Sequence, residues 1–308
     1  MSRCLDEGKD IFKNDCAVDI KRLNEFDSSI QFFAAFIHDK YNKSGALNRF
    51  LQMYRIYKNA DFGKTQAYLS VENLSCIEGD TANIPLICGC GVKIASLCWN
   101  GYNGIAGGAD TEEGLSHFGK RVVKELESHS ITVDVSHMNK KSFYDFVSIS
   151  SKPFIATHSN CSSVYPHRRN LTDEQIRLIA HSGGIVGINL YPVFLGDYED
   201  NYDDIAAHID HAINVAGEDH VAFGTDFDGA DMDVSLCDIS MVTGLYQYLK
   251  NKNISEKILD KIFFYNAYNF FQKHYPVPKR LDKSTTQKFR PFEPKDPIDY
   301  HRYFAYVH

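Results

Sequence analysis

The chain has 308 residues, 44% hydrophobic and 24% charged, with a formal net charge of −7. This is the composition of a folded globular protein, long enough for one large core or two smaller ones, and its net acidity argues against a nucleic-acid partner, which requires a basic face. No apolar run approaches the ~20 residues of a membrane span, and the opening MSRCLDEGKDIFKNDC is too charged for a secretion signal, so a cytoplasmic location is expected. In that compartment the eight cysteines are expected to be mostly reduced. Cys88 and Cys90 form a C-x-C with no second pair nearby and are read as unpaired.

Seven runs read as buried strands: IQFFAAFI (30–37), AYLSVENLSCI (67–77), KIASLCW (93–99), ITVDVSH (131–137), FIATHS (154–159), GIVGINLY (184–191) and HVAFGTDF (220–227). Their continuous apolar character suits parallel strands covered on both faces. Helical patterns lie between them. TEEGLSHFGKRVVKELESHS sets Leu115, Phe118, Val122 and Leu126 on one stripe, and LTDEQIRLIAHSGG opens on a Thr172/Gln175 capping box and stops at Gly183 and Gly184. DDIAAHIDHAINVAG and SEKILDKIFFYNAYNFFQKH supply two more helices.

Strand-then-helix repetition predicts a parallel α/β fold, and the strand count stands one short of a (β/α)8 barrel. No G-x-G-x-x-G follows an early strand, so a dinucleotide fold lacks support. Residues 1–275 are read as one domain; residues 276–308, rich in proline and without periodicity, are read as a tail wrapping the surface.

The chemical signal is positional. Glu78, His137, His158 and Asp226 each stand at or just past the C-terminal end of a different predicted strand. His158 taken alone reads as a packed core histidine. Four ligand-type residues at strand ends that converge on one face of a parallel barrel favour a metal site. Capping in the following loops is the plainer alternative for Glu78 and Asp226. His208, Asp210 and His211 have H-x-D-like spacing but lie in a helical pattern, where positions two apart face different ways, so they are read as a solvated face or as neighbours of the metal ligands. His167 is read as a loop neighbour.

LSCIEGD (74–80), VDVSHMN (133–139), ATHSN (156–160), HRRNLTDEQI (167–176), HIDHAINVAG (208–217) and FGTDFDG (223–229) together resemble the motifs of the membrane (renal-type) dipeptidases, metallopeptidases of the amidohydrolase superfamily. The resemblance runs in order from about residue 15 to residue 271. It implies a (β/α)8 barrel, a binuclear zinc site and small dipeptide substrates, some with a D-residue. Position by position, it implies Glu78 as the carboxylate bridging two metals, His137 and His158 as ligands of one metal, Arg169 as the clamp for the substrate's terminal carboxylate, and Asp226 as the acid/base.

The chain departs from that pattern twice. Trp99 stands where renal-type members carry a carbonyl-polarising histidine, and Asn100 or the metal is expected to take over that task. An opening strand ending in H-x-D, which would ligate the second metal, has no match; the chain is read as beginning just downstream of strand one. Three expectations follow: edges at 30–37 and 220–227 that make the chain poorly stable or prone to associate, a homodimer being one form; at most one tightly bound zinc; and weak or absent peptidase activity. The alternative reading is a catalytically inactive barrel that binds a peptide.

Overall fold

In the computed structural model, residues 1–196, 201–275 and 303–306 are described. Seven strands form one parallel sheet: β1 (Ser28–Phe36), β2 (Gln66–Glu72), β3 (Val92–Ser96), β4 (Thr132–Asp134), β5 (Val186–Ile188), β6 (Val221–Phe223) and β7 (Tyr303–Tyr306). Their spatial order is β4-β3-β2-β1-β7-β6-β5. The run predicted as a strand at 154–159 joins the two ends through single bridges, Asp134 with Ile155 and Ala156 with Val186, so the sheet curls back on itself. The predicted α/β barrel is the fold observed.

Two apolar clusters explain the unbroken hydrophobic runs. Ile30, Phe32, Tyr68, Ile94, Ile155, Ile185 and Ala222 point inward from successive strand positions, while Phe33, Ala35, Val71 and Val133 pack outward. Strand residues alternate faces, so both phases of each strand must be apolar when both faces are buried. Phe271, from the helix Asn266–His274, packs against Phe32 and Tyr68 with ring centroids 4.3 and 5.7 Å away and so belongs to the inner cluster. The Tyr275 hydroxyl, just beyond that helix, bonds to the backbone at Lys93 and Thr132.

The predicted helices are present at His117–Ser128, Asp173–His181, Asn201–Ala216 and through Glu256–His274, and the capping box of Thr172 and Gln175 is formed.

Two corrections concern the ends. Residues 303–306 do not wrap the surface: they pair in parallel with β1 (Ser28 opposite Tyr303, Gln31 opposite Tyr306) and with β6 (Phe223 opposite Tyr306). Phe304 and Ala305 are buried, and Phe304 stacks on Phe26 at 5.5 Å. The slot expected between two bare edges is therefore taken by β7, which supplies neighbours to both. The rest of the predicted tail, 276–302 and 307–308, lies outside the described residues. The third correction is at 67–77, where the strand ends at Glu72. Asn73 has φ 71°, its side chain accepts from Ser75 N, and Leu74–Ile77 form a turn of 3-10 helix. Among the described residues no helix is long and apolar enough to cross a membrane.

Candidate active site

The C-terminal strand ends carry the site. Glu72 is the last residue of β2, His137 lies three residues beyond β4, and His158 follows the bridging segment. Their ligand atoms all lie within 4.8 Å of one another. His137 Nε2 is 3.0 Å from Glu72 Oε1 and 2.8 Å from His158 Nε2. Both histidines are buried.

Each ring is set by what its other nitrogen touches. Thr157 Oγ1 lies 2.7 Å from Asp134 Oδ2 and 2.7 Å from His158 Nδ1. A hydroxyl has one proton; given to the Asp134 carboxylate, it leaves the oxygen to accept from His158 Nδ1–H. Asp134 is itself fixed by the backbone N–H groups of Ser136 and Thr157, each 2.9 Å from Oδ1. On the other ring, His137 Nδ1–H donates to Asn100 Oδ1 at 2.9 Å. Both Nε2 atoms are then lone-pair donors facing each other beside a carboxylate. A proton on His137 Nε2 can serve one of its two neighbours well, whereas a divalent cation serves all three groups. Two imidazoles and a carboxylate, each oriented by an outer hydrogen bond, make a fitting donor set for such an ion.

Backbone strain marks the same places. His137 and Asp226 have φ of 73° and 60°, a region that costs a non-glycine residue about 1–2 kcal/mol and is held only where the surroundings enforce it.

Glu72 and His137 of this cluster line a cavity of about 410 Å³ together with Arg169, Asp226, Trp99, Asn100, Phe36 and His38. The Arg169 guanidinium is buried and lies 5.5 Å over the Phe194 ring. Burial lowers its pKa and the charges of Asp226, Glu72 and Asp134 oppose that, so it stays a cation. Among the described residues its Nε and Nη2 have no hydrogen-bond partner. Asp226 Oδ2 accepts from Asn189 Nδ2 at 3.1 Å. Asn189 is itself locked: its N–H donates to Asn160 Oδ1 at 2.9 Å, its carbonyl accepts from Asn160 Nδ2 at 3.0 Å, and its Oδ1 accepts from Tyr191 N at 2.7 Å. Asp228 instead receives the Ala17 and Val18 N–H groups at 2.7 and 3.3 Å, stitching the N-terminal segment onto the cavity rim.

The structure thus brings His137, His158, Arg169, Asp226, Trp99 and Asn100 together, with two changes of part. Glu78 does not join them. It is exposed, and its Oε1 accepts from Gly45 N and Leu47 N at 3.0 and 3.3 Å, capping the helix Ala46–Asn59. The early strand end at Glu72 is the reason: the true strand-end carboxylate comes six residues sooner, at the close of AYLSVE. Asn100 has its side-chain oxygen committed to His137. Trp99 walls the cavity, its ring 5.0 Å from His38 and 6.2 Å from His137.

His208 also departs from its expectation as part of a solvated face. It is fully buried, takes Cys161 N–H on Nδ1 at 3.1 Å and donates from Nε2 to Leu195 O at 2.7 Å; burial pushes its pKa down to about 4. His211 bonds Asp173 at 2.7 Å, and His167 Nδ1 accepts from Arg169 N at 3.2 Å in its loop. Arg168 pairs with Asp110 at 2.7 Å. Sequence reading missed Glu72, Asp134, Thr157, Asn189 and His38.

The model of the membrane dipeptidase family (peptidase family M19) matches residues 56–284, about three quarters of the chain. The chain belongs to this family. A Klebsiella pneumoniae protein encoded 5′ of pqqA is 35% identical over 209 residues, 64% of this chain and 77% of that one. An uncharacterised dipeptidase of Schizosaccharomyces pombe is 31% identical over 195 residues, 61% of this chain but 48% of that protein. The match thus spans about half the length of that yeast dipeptidase. Among solved structures, the metallopeptidase dipeptidase AC superposes with a TM-score of 0.75 at 26% identity, covering 86% of this chain and 91% of that one. A Rhodobacter sphaeroides metallopeptidase, liganded with a phosphinate mimic of L-Ala-D-Ala, gives 0.75 at 24% identity over 85% and 92%. Membrane dipeptidases are metallopeptidases, in keeping with the cation-ready geometry of Glu72, His137 and His158.

Proposed function

We propose that this membrane dipeptidase family member hydrolyses small dipeptides with a zinc ion held by Glu72, His137 and His158. The observation that carries the reading is that Glu72 and His137 of that three-donor cluster share one cavity with the buried guanidinium of Arg169, whose Nε and Nη2 have no hydrogen-bond partner among the described residues. Imidazole nitrogen and carboxylate oxygen are zinc donors, and three protein ligands are the usual number for a catalytic zinc. When bound, the metal supplies Lewis acidity, polarising a carbonyl and lowering the pKa of water to about 7.

The chain's own residues do the rest. Arg169 receives the C-terminal carboxylate of the dipeptide through its free N–H groups, setting the register of the substrate against the cluster. Asp226 takes the proton of the attacking water and passes it to the departing amine. Asn189 donates to one oxygen of Asp226 and so orients the carboxylate for that transfer. Asn100 and the Asp134–Thr157 pair keep Nε2 of each histidine available. His38 Nδ1 accepts from Lys40 N at 3.0 Å, so a neutral His38 carries its proton on Nε2 and offers a donor at the cavity wall next to Trp99.

The test is metal analysis with hydrolysis of Ala-Ala and Ala-Gly. About one zinc per chain and measurable turnover are expected, and His158→Ala should remove both while far-ultraviolet circular dichroism is retained. Turnover unchanged in that variant rejects the assignment. Metal binding without turnover of any dipeptide favours an inactive, ligand-binding barrel instead.

A further inference from the structure

A second cavity, of about 420 Å³, adjoins the first, and His137 and Arg169 line both. Its walls come from the loop after β4 and the loop 159–172. Lys140, Arg168 and Arg169 contribute three cations to its lining, and among the described residues no aspartate or glutamate lines it, in a chain whose net charge is −7. Asp110, outside the lining, pairs with Arg168; Lys140 makes no ion pair among the described residues. Two further lining residues, Ser159 and Asn170, are more than nine-tenths buried, and Ser159 Oγ and Asn170 Oδ1 have no hydrogen-bond partner among the described residues. Buried polar atoms are rarely left unpaired, and the Ser159 hydroxyl, a possible donor not committed elsewhere, points to a polar occupant.

The shared wall says which part of a dipeptide lies there. With the scissile carbonyl at the histidine cluster and the terminal carboxylate on Arg169, the C-terminal residue spans the distance between His137 and Arg169. Its side chain is the group that meets the residues common to both cavities. We propose that the second cavity is the subsite for that side chain and that it selects an acidic one, aspartate or glutamate. This rests on the dipeptidase reading. Lys140 and Arg168 supply the attraction at the mouth, and Ser159 Oγ supplies a donor deeper in.

The experiment compares kcat/KM for Ala-Asp, Ala-Asn and Ala-Ala, each with the C-terminal residue in both enantiomers. Ala-Asn matches Ala-Asp in size and hydrogen-bonding groups but lacks the charge. About a tenfold preference for Ala-Asp is expected, shrinking as salt is raised. Lys140→Glu should abolish or invert the preference. Lys140 is exposed at the first position of the helix Lys140–Val147, where an acidic side chain favours the helix, so this variant should fold. Calorimetric titration with phosphinate mimics of Ala-Asp and Ala-Asn reads the same preference without turnover. Equal kcat/KM and equal binding for the Asp and Asn forms, or a preference untouched by Lys140→Glu, overturns the subsite while Ala-Ala hydrolysis leaves the dipeptidase reading standing. Failure to cleave or bind any of the three overturns both.

Discussion

The two walls of the first cavity are built on opposite principles. On the histidine wall every outward-facing nitrogen is occupied: Thr157 and Asp134 hold His158, Asn100 holds His137, and two backbone N–H groups hold Asp134. On the arginine wall, Arg169 is buried, and among the described residues two of its nitrogens have no hydrogen-bond partner. A satisfied network fixes donor geometry before any ion arrives, whereas a buried cation with open N–H groups still carries a desolvation cost that a bound anion lowers. The first wall is made to keep something and the second to receive and release something.

The largest effect that could break this comparison is at Arg169. Arg169→Met should lower kcat/KM about 10²–10³-fold, chiefly through KM, with metal content unchanged. The same variant should change urea stability by no more than about 1 kcal/mol, because the attraction lost to Asp226, Glu72 and Asp134 is offset by relief of the guanidinium's desolvation. Loss of stability alongside loss of activity would show that Arg169 has a structural partner and that the two walls are not different in kind.

Behind the loop that follows His158, His208 offers a pH test. It is neutral and buried, and its Nδ1 must remain unprotonated to accept from Cys161 N. Its folded pKa, about 4, lies below the unfolded 6.5, so between those values the unfolded chain binds the extra proton. The stabilisation is complete above about pH 6.5 and is lost as pH falls toward 4. Its ceiling is about 3 kcal/mol from a shift of that size. Urea midpoints at pH 7.0, 5.5 and 4.5 should fall accordingly, and His208→Gln should flatten that part of the slope. An identical slope in the variant would assign the pH effect to other groups.

Thr157 tests the network directly. Thr157→Val keeps the shape but strips a hydroxyl from between a carboxylate and an imidazole, and metal affinity should fall about 10–100-fold. Thr157→Ser should restore most of it, as read by competition with a chelator. Wild-type affinity in Thr157→Val would mean that packing alone orients His158.

What the sequence made legible follows the same division. Alternating apolar runs located the strands, because burial on both faces leaves a periodic trace, and His137, His158 and Asp226 stood out as polar residues ending those runs. Glu72 was hidden because LSCI continues the apolar run beyond it; only the left-handed Asn73 shows that the strand has already stopped. Thr157 and Asn189 left no trace of their own, since an ordinary threonine and asparagine acquire their roles from Asp134 and Asp226, 23 and 37 residues away. The pairing of 303–306 with β1 joins segments far apart in the chain, a contact that no local pattern encodes.

The smallest expected effect sharpens the comparison at its middle. Asp226 lies on the receiving wall, yet one of its oxygens is held from behind by Asn189, so it shares the character of both sides. Asn189→Leu removes that donor without touching Arg169 or the metal donors. If the amide serves to aim the carboxylate, kcat should fall about tenfold while KM and metal content stay within twofold, the pattern of an interaction needed in the transition state and not for substrate binding. The leucine also leaves Tyr191 N without its acceptor, so a stability loss of about 1–3 kcal/mol is expected and must be separated from the kinetic effect by assaying well below the unfolding midpoint. A rise in KM with kcat intact would place Asn189 in substrate binding instead. Full activity would mean that the strained backbone at Asp226, with φ 60°, already aims the carboxylate unaided.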